Sequence, residues 1–467
     1  MEFNDRILDN VHGFIDITPC EKEIIDLPIF KRLQHIKQLS LVNWVFPGSE
    51  HTRYIHSLGV MHIADQMAIH LEYDEEHRVL LRLAGLLHDL GHYPLSHEGE
   101  SAYMDEYEDL NFSQSLKKKA INKIDRLDRK PSLTRMEVHK TYHHEIITSK
   151  VIQNSKSIHD IINRYYPENQ HPLISIENIC HIITGNTYKK ELSGLVQLMH
   201  SELDADRIDY LMRDATFSGT CYGDFELGYL LRNLRKVVFK EHEIIGISPK
   251  GIAIAEQFLI NRFFSYNQVV FNKHVAILGM MVSSLIKEYR IGYGLMNKTE
   301  LIAHINAHET TELYKVFTDI AFWTILHKEK TLRTDILTKI AESLVSNEEV
   351  AKTSDEFIMI ASGSFIKQKL LEAPIYNNLL NVKDDNNKLF LYHELSITNQ
   401  IPFDEYRRIK EEENYNEDLW DVKLFQEGIV VIYDDNNYKL LVDCNESLIS
   451  QLYDKKLVIM REYTIKK

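Results

Sequence analysis

Between positions 88 and 97 the chain reads His88-Asp89-Leu90-Gly91-His92-Tyr93-Pro94-Leu95-Ser96-His97. Adjacent imidazole and carboxylate groups suit a hard-to-borderline divalent cation. The histidines that follow can carry protons near neutral pH. Two more residues stand in suggestive settings. His56 lies in His51-Thr52-Arg53-Tyr54-Ile55-His56-Ser57-Leu58-Gly59-Val60. Asp206 lies in Leu203-Asp204-Ala205-Asp206-Arg207-Ile208-Asp209-Tyr210-Leu211-Met212-Arg213-Asp214. On a helix, Asp206, Tyr210 and Asp214 share one face at i, i+4 and i+8. That face offers one carboxylate to a metal, and a phenol with a second carboxylate to a hydroxylated ligand. Asp204 and Asp209 read as solvated helix charges. The chemistry expected of the set is metal-dependent hydrolysis.

The elements that must position these residues are mostly helical. Residues 61–90 are helical in pattern, and 79–87 are apolar nearly all round, as in a buried helix. Gly91 and Pro94 stop that helix, so His88-Asp89 falls at its end, where the partial negative charge favours a cation. Residues 1–60 read as short elements punctuated by Gly13, Pro19, Pro28 and Pro47-Gly48. An acidic patch at 98–109 and a basic one at 117–140 read together as a charged insertion: two solvated faces, or a lid beside an anionic ligand. Helical periodicity resumes near His143 and dominates to Ser346. Beyond it, Gly428-Ile429-Val430-Val431-Ile432-Tyr433 and Tyr438-Lys439-Leu440-Leu441-Val442 flank a hairpin signal at 434–437. The expected fold is mainly α: a helical core over 1–345, with the insertion at 98–140, and a small α+β domain over 346–467.

At 467 residues the chain exceeds one ordinary core. No apolar run reaches the roughly 18 to 20 residues of a membrane span, and the N-terminus lacks the pattern of a signal peptide. Cys20, Cys180, Cys221 and Cys444 form no CxxC pair, so a reducing, cytoplasmic setting is expected. A formal charge of −15 disfavours a surface that coats nucleic acid. The 117–140 patch would be the footprint of any such binding.

The order His56…His88-Asp89…Asp206 resembles the H…HD…D pattern of the HD-domain metal phosphohydrolases. More narrowly, the first 275 or so residues resemble the HD-domain deoxynucleoside triphosphate triphosphohydrolases. The matching text includes Val11-His12-Gly13, Ile25-Asp26-Leu27-Pro28, Phe30-Lys31-Arg32-Leu33, Ile36-Lys37-Gln38-Leu39, Val45-Phe46-Pro47-Gly48, His56-Ser57-Leu58-Gly59 and Asp206-Arg207-Ile208-Asp209-Tyr210. The tail is not covered.

The resemblance implies an HD-type helical core and His56, His88, Asp89 and Asp206 as ligands of a divalent metal. Mn, Fe, Zn, Ni or Co suit such a set, with Mg mainly as a bridge to phosphates. It implies removal of the whole triphosphate from a dNTP, with His92 and His97 as candidate proton donors. His144 would support the catalytic histidine, although His143 leaves that match ambiguous by one residue, and Glu100 would orient His97. Arg53, Arg207 and Arg262 would meet phosphates, Arg262 at the terminal one. Gln38, Tyr210 and Asp214 would read the sugar. The resemblance further implies a homo-oligomer with a nucleotide activator at a subunit interface, where Arg6-Ile7, Asp26 and Lys273 match. Gln34 and Lys31 replace the guanine-reading residues there, and Val270 and Asn272 replace an aromatic and a histidine, so guanine activation is expected to be lost or altered. The alternatives are another HD-type phosphohydrolase, acting on nucleotide monophosphates or cyclic nucleotides, and a catalytically weak nucleotide sensor.

Overall fold

The computed structural model describes residues 1–105, 112–128, 142–186, 189–292, 294–307, 316–329, 332, 335–346, 351–381, 388–412 and 419–465. Two antiparallel strands, β1 (Asp5–Asp9) and β2 (Gly13–Ile17), open the chain. The helix Pro19–Asp26 follows, started by a capping box between Thr18 and Glu21. The helical stretch expected from 61 to 90 is two helices, Arg53–His70 and Glu75–Leu87. The break falls where Glu72 turns left-handed and Asp74 caps the second helix through the His77 N–H. Residues 79–87 are all buried, as their composition demands.

Beyond the turn at 88–95 come the helices Ser96–Tyr103, Phe112–Arg126, His144–Asn154, Ile176–Ile183, Ser193–Met199 and Ala205–Ser218. A hairpin then interrupts the stretch expected to be helical: β3 (Leu234–Phe239) and β4 (His242–Ile247), turned at Lys240 and Glu241. Helices resume with Ile252–Ser265, a π-turn over Tyr266–Val270, Lys273–Gly292 and Asp319–Lys328. The tail adds β5 (Ala351–Ser362), β6 (Lys388–Ser396), β7 (Val430–Asp434), β8 (Asn437–Leu440) and β9 (Lys455–Ile465). The hairpin expected at 434–437 joins β7 to β8.

The fold is mainly α, and among the described residues the strands form three small sheets ordered β1-β2, β3-β4-β7-β8 and β5-β9-β6. The second sheet crosses the division drawn at 345/346, because β4 pairs in parallel with β7 through Ile247 and Val431. The core crosses it too: one buried apolar cluster runs from Ile15 through Leu87 and Leu211 to Val430 and Ile465. The described part of the charged insertion is structural. Ala120, Ile124 and Leu127 pack with Ile366, Phe390, Val458 and Met460 on one face of the third sheet, while Lys119 pairs with Asp105 at 3.3 Å. Residues 106–111 and 129–141 lie outside the described residues. Among the described residues no single helix is long and apolar enough to cross a membrane.

Candidate metal centre and phosphate site

Three helices deliver the candidate metal ligands. His56 sits one turn into Arg53–His70, His88 and Asp89 follow Glu75–Leu87 directly, and Asp206 lies in the first turn of Ala205–Ser218. His56, His88 and Asp206 each offer a ligand atom, all within 4.8 Å of one another. The other ring nitrogens are taken. His88 Nδ1 donates to the Gly85 carbonyl at 2.8 Å, and His56 Nδ1 donates to Asp209 Oδ2 at 2.7 Å. This leaves both Nε2 atoms buried and without a hydrogen-bond partner. Asp206 Oδ1 lies 2.9 Å from His56 Nε2, a close approach without hydrogen-bond geometry, and 3.8 Å from His88 Nε2. Two orphaned imidazole nitrogens aimed at one carboxylate fit a divalent cation.

Asp89 completes the set from one side. Its Oδ1 lies 3.5 Å from His88 Nε2 and its Oδ2 4.0 Å from His56 Nε2. Oδ2 also accepts from Arg53 Nη1 at 2.8 Å. Burial opposes its charge, but Arg53, backed by His88, His92 and His56, outweighs burial and holds its pKa well below the usual range. Burial likewise disfavours a charged His56, yet Asp206 and Asp209 outweigh it and push His56 up to about 10. A metal at Nε2 would replace that proton.

Asp209 and Asp204 are not solvated charges. Both are fully buried. Asp209 accepts from His56, from His12 Nε2 at 2.6 Å, and from Arg213 Nε and Nη2 at 2.8 and 3.0 Å. Arg213 continues to Asp9 at 2.8 Å, so an ion-pair chain ties the β1–β2 turn to a metal ligand. Gly59 permits the approach, since a Cβ there would come 1.9 Å from Asp209 Oδ1. Asp204 caps its helix, accepting from the Arg207 N–H at 2.7 Å and from the Arg207 side chain.

Beside the metal set lies a row of histidines. His97 and His144 both donate through Nδ1 to Glu100, at 3.0 and 2.9 Å. The His92 ring stacks on His144 with centroids 4.6 Å apart. His92 Nδ1 accepts the Tyr93 N–H at 3.1 Å, and its buried Nε2 has no partner. Burial first, and then Arg53, keeps His92 neutral. His97 is the member open to a ligand, with 65% of its side chain exposed. His143 stands farther out, 3.9 Å from Glu100, so geometry favours His144 in the supporting role.

Burial raises Glu100 and lowers His144, but their mutual hydrogen bond and attraction, joined by His97 at Glu100 and by Asp89 and Glu145 at His144, together reverse both shifts. Glu100 then stabilises the fold above its ordinary 4.5, and His144 does so below its ordinary 6.5, fading as pH rises through its higher folded value. Glu100→Gln is therefore expected to cost most stability between those two values and progressively less above them. Urea unfolding across pH checks this, and a cost that keeps growing above pH 6.5 would contradict it.

The turn carrying His92 and His97 is held from outside. Buried Arg32 donates to the carbonyls of Leu90, His92 and Phe317 at 2.6, 3.0 and 2.8 Å. Asp319 accepts the Leu95 N–H at 2.6 Å and the Lys37 N–H at 2.9 Å. Leu95 and Ser96 are both left-handed, with φ of 57° and 54°. Ser96 Oγ donates to the Lys37 carbonyl at 2.6 Å and accepts from Arg53 Nε at 3.0 Å.

The expected phosphate and sugar residues are partly committed already. Arg53 spends Nε and Nη1 on Ser96 and Asp89, leaving a buried Nη2 without a partner. Arg207 is half-buried against Asp204 and the Ser201 carbonyl. Arg262 is buried and donates to the Ile397 carbonyl at 3.0 Å. Burial raises the Tyr210 phenol, which also feels Tyr266, Arg262, Arg207 and Asp206. Asp214 accepts from His51 Nε2 at 2.8 Å, and His51 in turn offers its carbonyl to the Gln38 N–H at 3.0 Å. Gln38 Oε1 is buried without a partner.

Residues 53–214 match the HD domain family. An HD domain is thus found over this part of the chain. Relatives include an uncharacterized protein of Methanocaldococcus jannaschii, 31% identical over 284 residues, covering 60% of this chain and 49% of that one. The uncharacterized YwfO of Bacillus subtilis is 31% identical over 272 residues, covering 56% and 51%. The deoxynucleoside triphosphate triphosphohydrolase SAMHD1 of Gallus gallus is 26% identical over 352 residues, covering 69% and 52%. The chain thus spans about half the length of these relatives. Two solved structures share the fold across nearly the whole chain. A hypothetical protein from Aquifex aeolicus has a TM-score of 0.66 at 24% identity, covering 98% of this chain and 96% of that one. A phosphohydrolase from Bacteroides thetaiotaomicron has 0.63 at 20%, covering 99% and 100%.

Sequence reasoning missed Asp209, His12, His51 and Asp319 as parts of the HD-domain site. Asp204 carried a local signal, an Asp directly before a helix. For the other four a deciding partner lies far along the chain, where no spacing rule reaches, although Asp209 also meets Arg213 at i+4.

Proposed function

We propose that this HD-domain protein hydrolyses deoxynucleoside triphosphates to a deoxynucleoside and inorganic tripolyphosphate in the cytoplasm. The observation that carries the reading is the union of a metal-ligand set with an exposed, carboxylate-held histidine and arginines on the same site. The similarity to SAMHD1 proteins supports the substrate class.

A divalent cation held by His56, His88, Asp89 and Asp206 would supply a Lewis acid and a lowered water pKa. The other roles belong to the chain. His97, with Nδ1 fixed by Glu100, presents Nε2 to the leaving 5′-oxygen as general acid, a contribution of about 10²- to 10⁴-fold. His92 donates from its unpartnered Nε2 to a phosphate oxygen. Arg207, Arg262 and Arg53 Nη2 offset the triphosphate charge, and a guanidinium fork suits that task better than an ammonium. Gln38, Tyr210 and the His51–Asp214 pair receive the sugar. We extend the reading to a homo-oligomer with a nucleotide activator between subunits near Arg6, Ile7, Asp26 and Lys273.

Product analysis by ion-exchange chromatography and mass tests it. Each dNTP singly, then all four, with Mn²⁺ or Mg²⁺, is expected to give deoxynucleoside and intact tripolyphosphate. Asp206→Ala should abolish turnover and metal retention together. Turnover only in the mixture would support the activator. No turnover of any dNTP would sink the reading and direct attention to monophosphates and cyclic nucleotides.

A further inference from the structure

One short segment of the tail reaches Arg262, the arginine read above as meeting the terminal phosphate. Directly after β6, residues 397–400 form a strap against the HD core, with Ile397, Thr398 and Gln400 all buried. Buried Glu202, four residues before Asp206, fastens it. One Glu202 oxygen accepts the Thr398 hydroxyl, and the other accepts the Asn399 N–H at 2.6 Å. Thr398 Oγ1 accepts the Gln400 N–H at 3.0 Å, closing the turn on itself. The Ile397 carbonyl so placed takes Arg262 Nη2 at 3.0 Å, with Glu202 Oε1 3.8 Å from the same nitrogen. Nε and Nη1 of Arg262 donate to no group among the described residues.

A guanidinium held at one nitrogen is restricted in its direction and keeps its remaining N–H groups available as a fork for phosphate oxygens. Pinning in advance also removes the ordering cost that binding would otherwise carry. We infer that Glu202 and Thr398 are positioning residues: through the strap they orient Arg262 toward the terminal phosphate of the substrate. The inference rests on the triphosphate reading above. It makes the tail part of the reaction's machinery, since the group that aims a core arginine comes from beyond β6.

Calorimetric titration of the full metal-loaded chain with inorganic tripolyphosphate tests it. Thr398→Val, which deletes only the fastening hydroxyl, is expected to weaken binding about tenfold, whereas Thr398→Ser should stay within about twofold. In an Arg262→Ala background Thr398→Val should change nothing further, which a merely structural role would not produce. Amide exchange of the wild-type chain needs no variant: saturating tripolyphosphate should slow exchange at Asn399 and Gln400. Tighter binding by Thr398→Val, or faster exchange on adding tripolyphosphate, would make the strap a latch that withholds the arginine and would overturn the inference. Equal affinities for wild type and Thr398→Val would overturn it as well. A wild-type chain that binds no tripolyphosphate would instead defeat the triphosphate reading itself.

Discussion

Asp209→Ala is expected to strip the chain of its metal and to destabilise it at the same time. Asp209 accepts from three cationic or polar donors, His56, His12 and Arg213, whose side chains are all nearly enclosed. Burial alone would raise its pKa, but those donors, Arg213 foremost, hold it ionised. Removing one partner of such a buried pair costs about 3–5 kcal/mol. Removing the group that orients a metal-bound histidine typically costs about 10- to 100-fold in metal affinity. Metal content after dialysis, together with the urea midpoint, reads both effects. Full metal retention with an unchanged midpoint would show that His56 is oriented by something else.

Arg32→Met should be nearly as severe, by a different route. Arg32 is almost wholly buried and spends its donors on backbone carbonyls. Burial already draws its pKa down to about 10, against the pull of Asp319 and Asp89. Methionine fills the space but leaves the carbonyls of Leu90, His92 and Phe317 without donors, at about 1–3 kcal/mol for each buried group left unsatisfied. Lysine would not restore the function, because one ammonium on a flexible stem cannot reproduce the fixed fork. The expected result is a large fall in melting temperature, with amide exchange rising first in residues 88–97. A variant that melts like wild type with that turn still protected would contradict the proposed clamp.

The candidate metal ligands were legible because their signals are local. His88-Asp89 is a dipeptide at the end of an all-apolar helix, and the face shared by Asp206, Tyr210 and Asp214 follows from helical spacing alone. Asp209 was misread because a carboxylate three residues beyond Asp206 resembles any solvated helix charge. Only the approach of the Arg53–His70 helix, which Gly59 permits, buries it. The hairpin of β3 and β4 was absorbed into a helical stretch, although Val237-Val238-Phe239 and Ile244-Ile245 are β-rich. The tail's hairpin was clear from its turn residues. Its partner was not, because the β4–β7 pairing joins segments far apart in sequence. Nothing in residues 397–400 advertises a role for Arg262, since backbone groups make most of that contact.

The left-handed pair Leu95 and Ser96 bears on how far this motif can travel. Such torsions cost roughly 1–3 kcal/mol each in residues other than glycine and persist only where surroundings enforce them. Here the enforcement comes from Asp319, Arg53 and the Lys37 backbone. Grafted onto the helical hairpin of another protein, the ten residues from His88 to His97 would keep their His-Asp dipeptide. The backbone at 95 and 96 would relax, swinging His97 out of line with the cation. The transplantable unit is therefore a tertiary one, and a designer borrowing the motif would have to borrow its three distant supports with it.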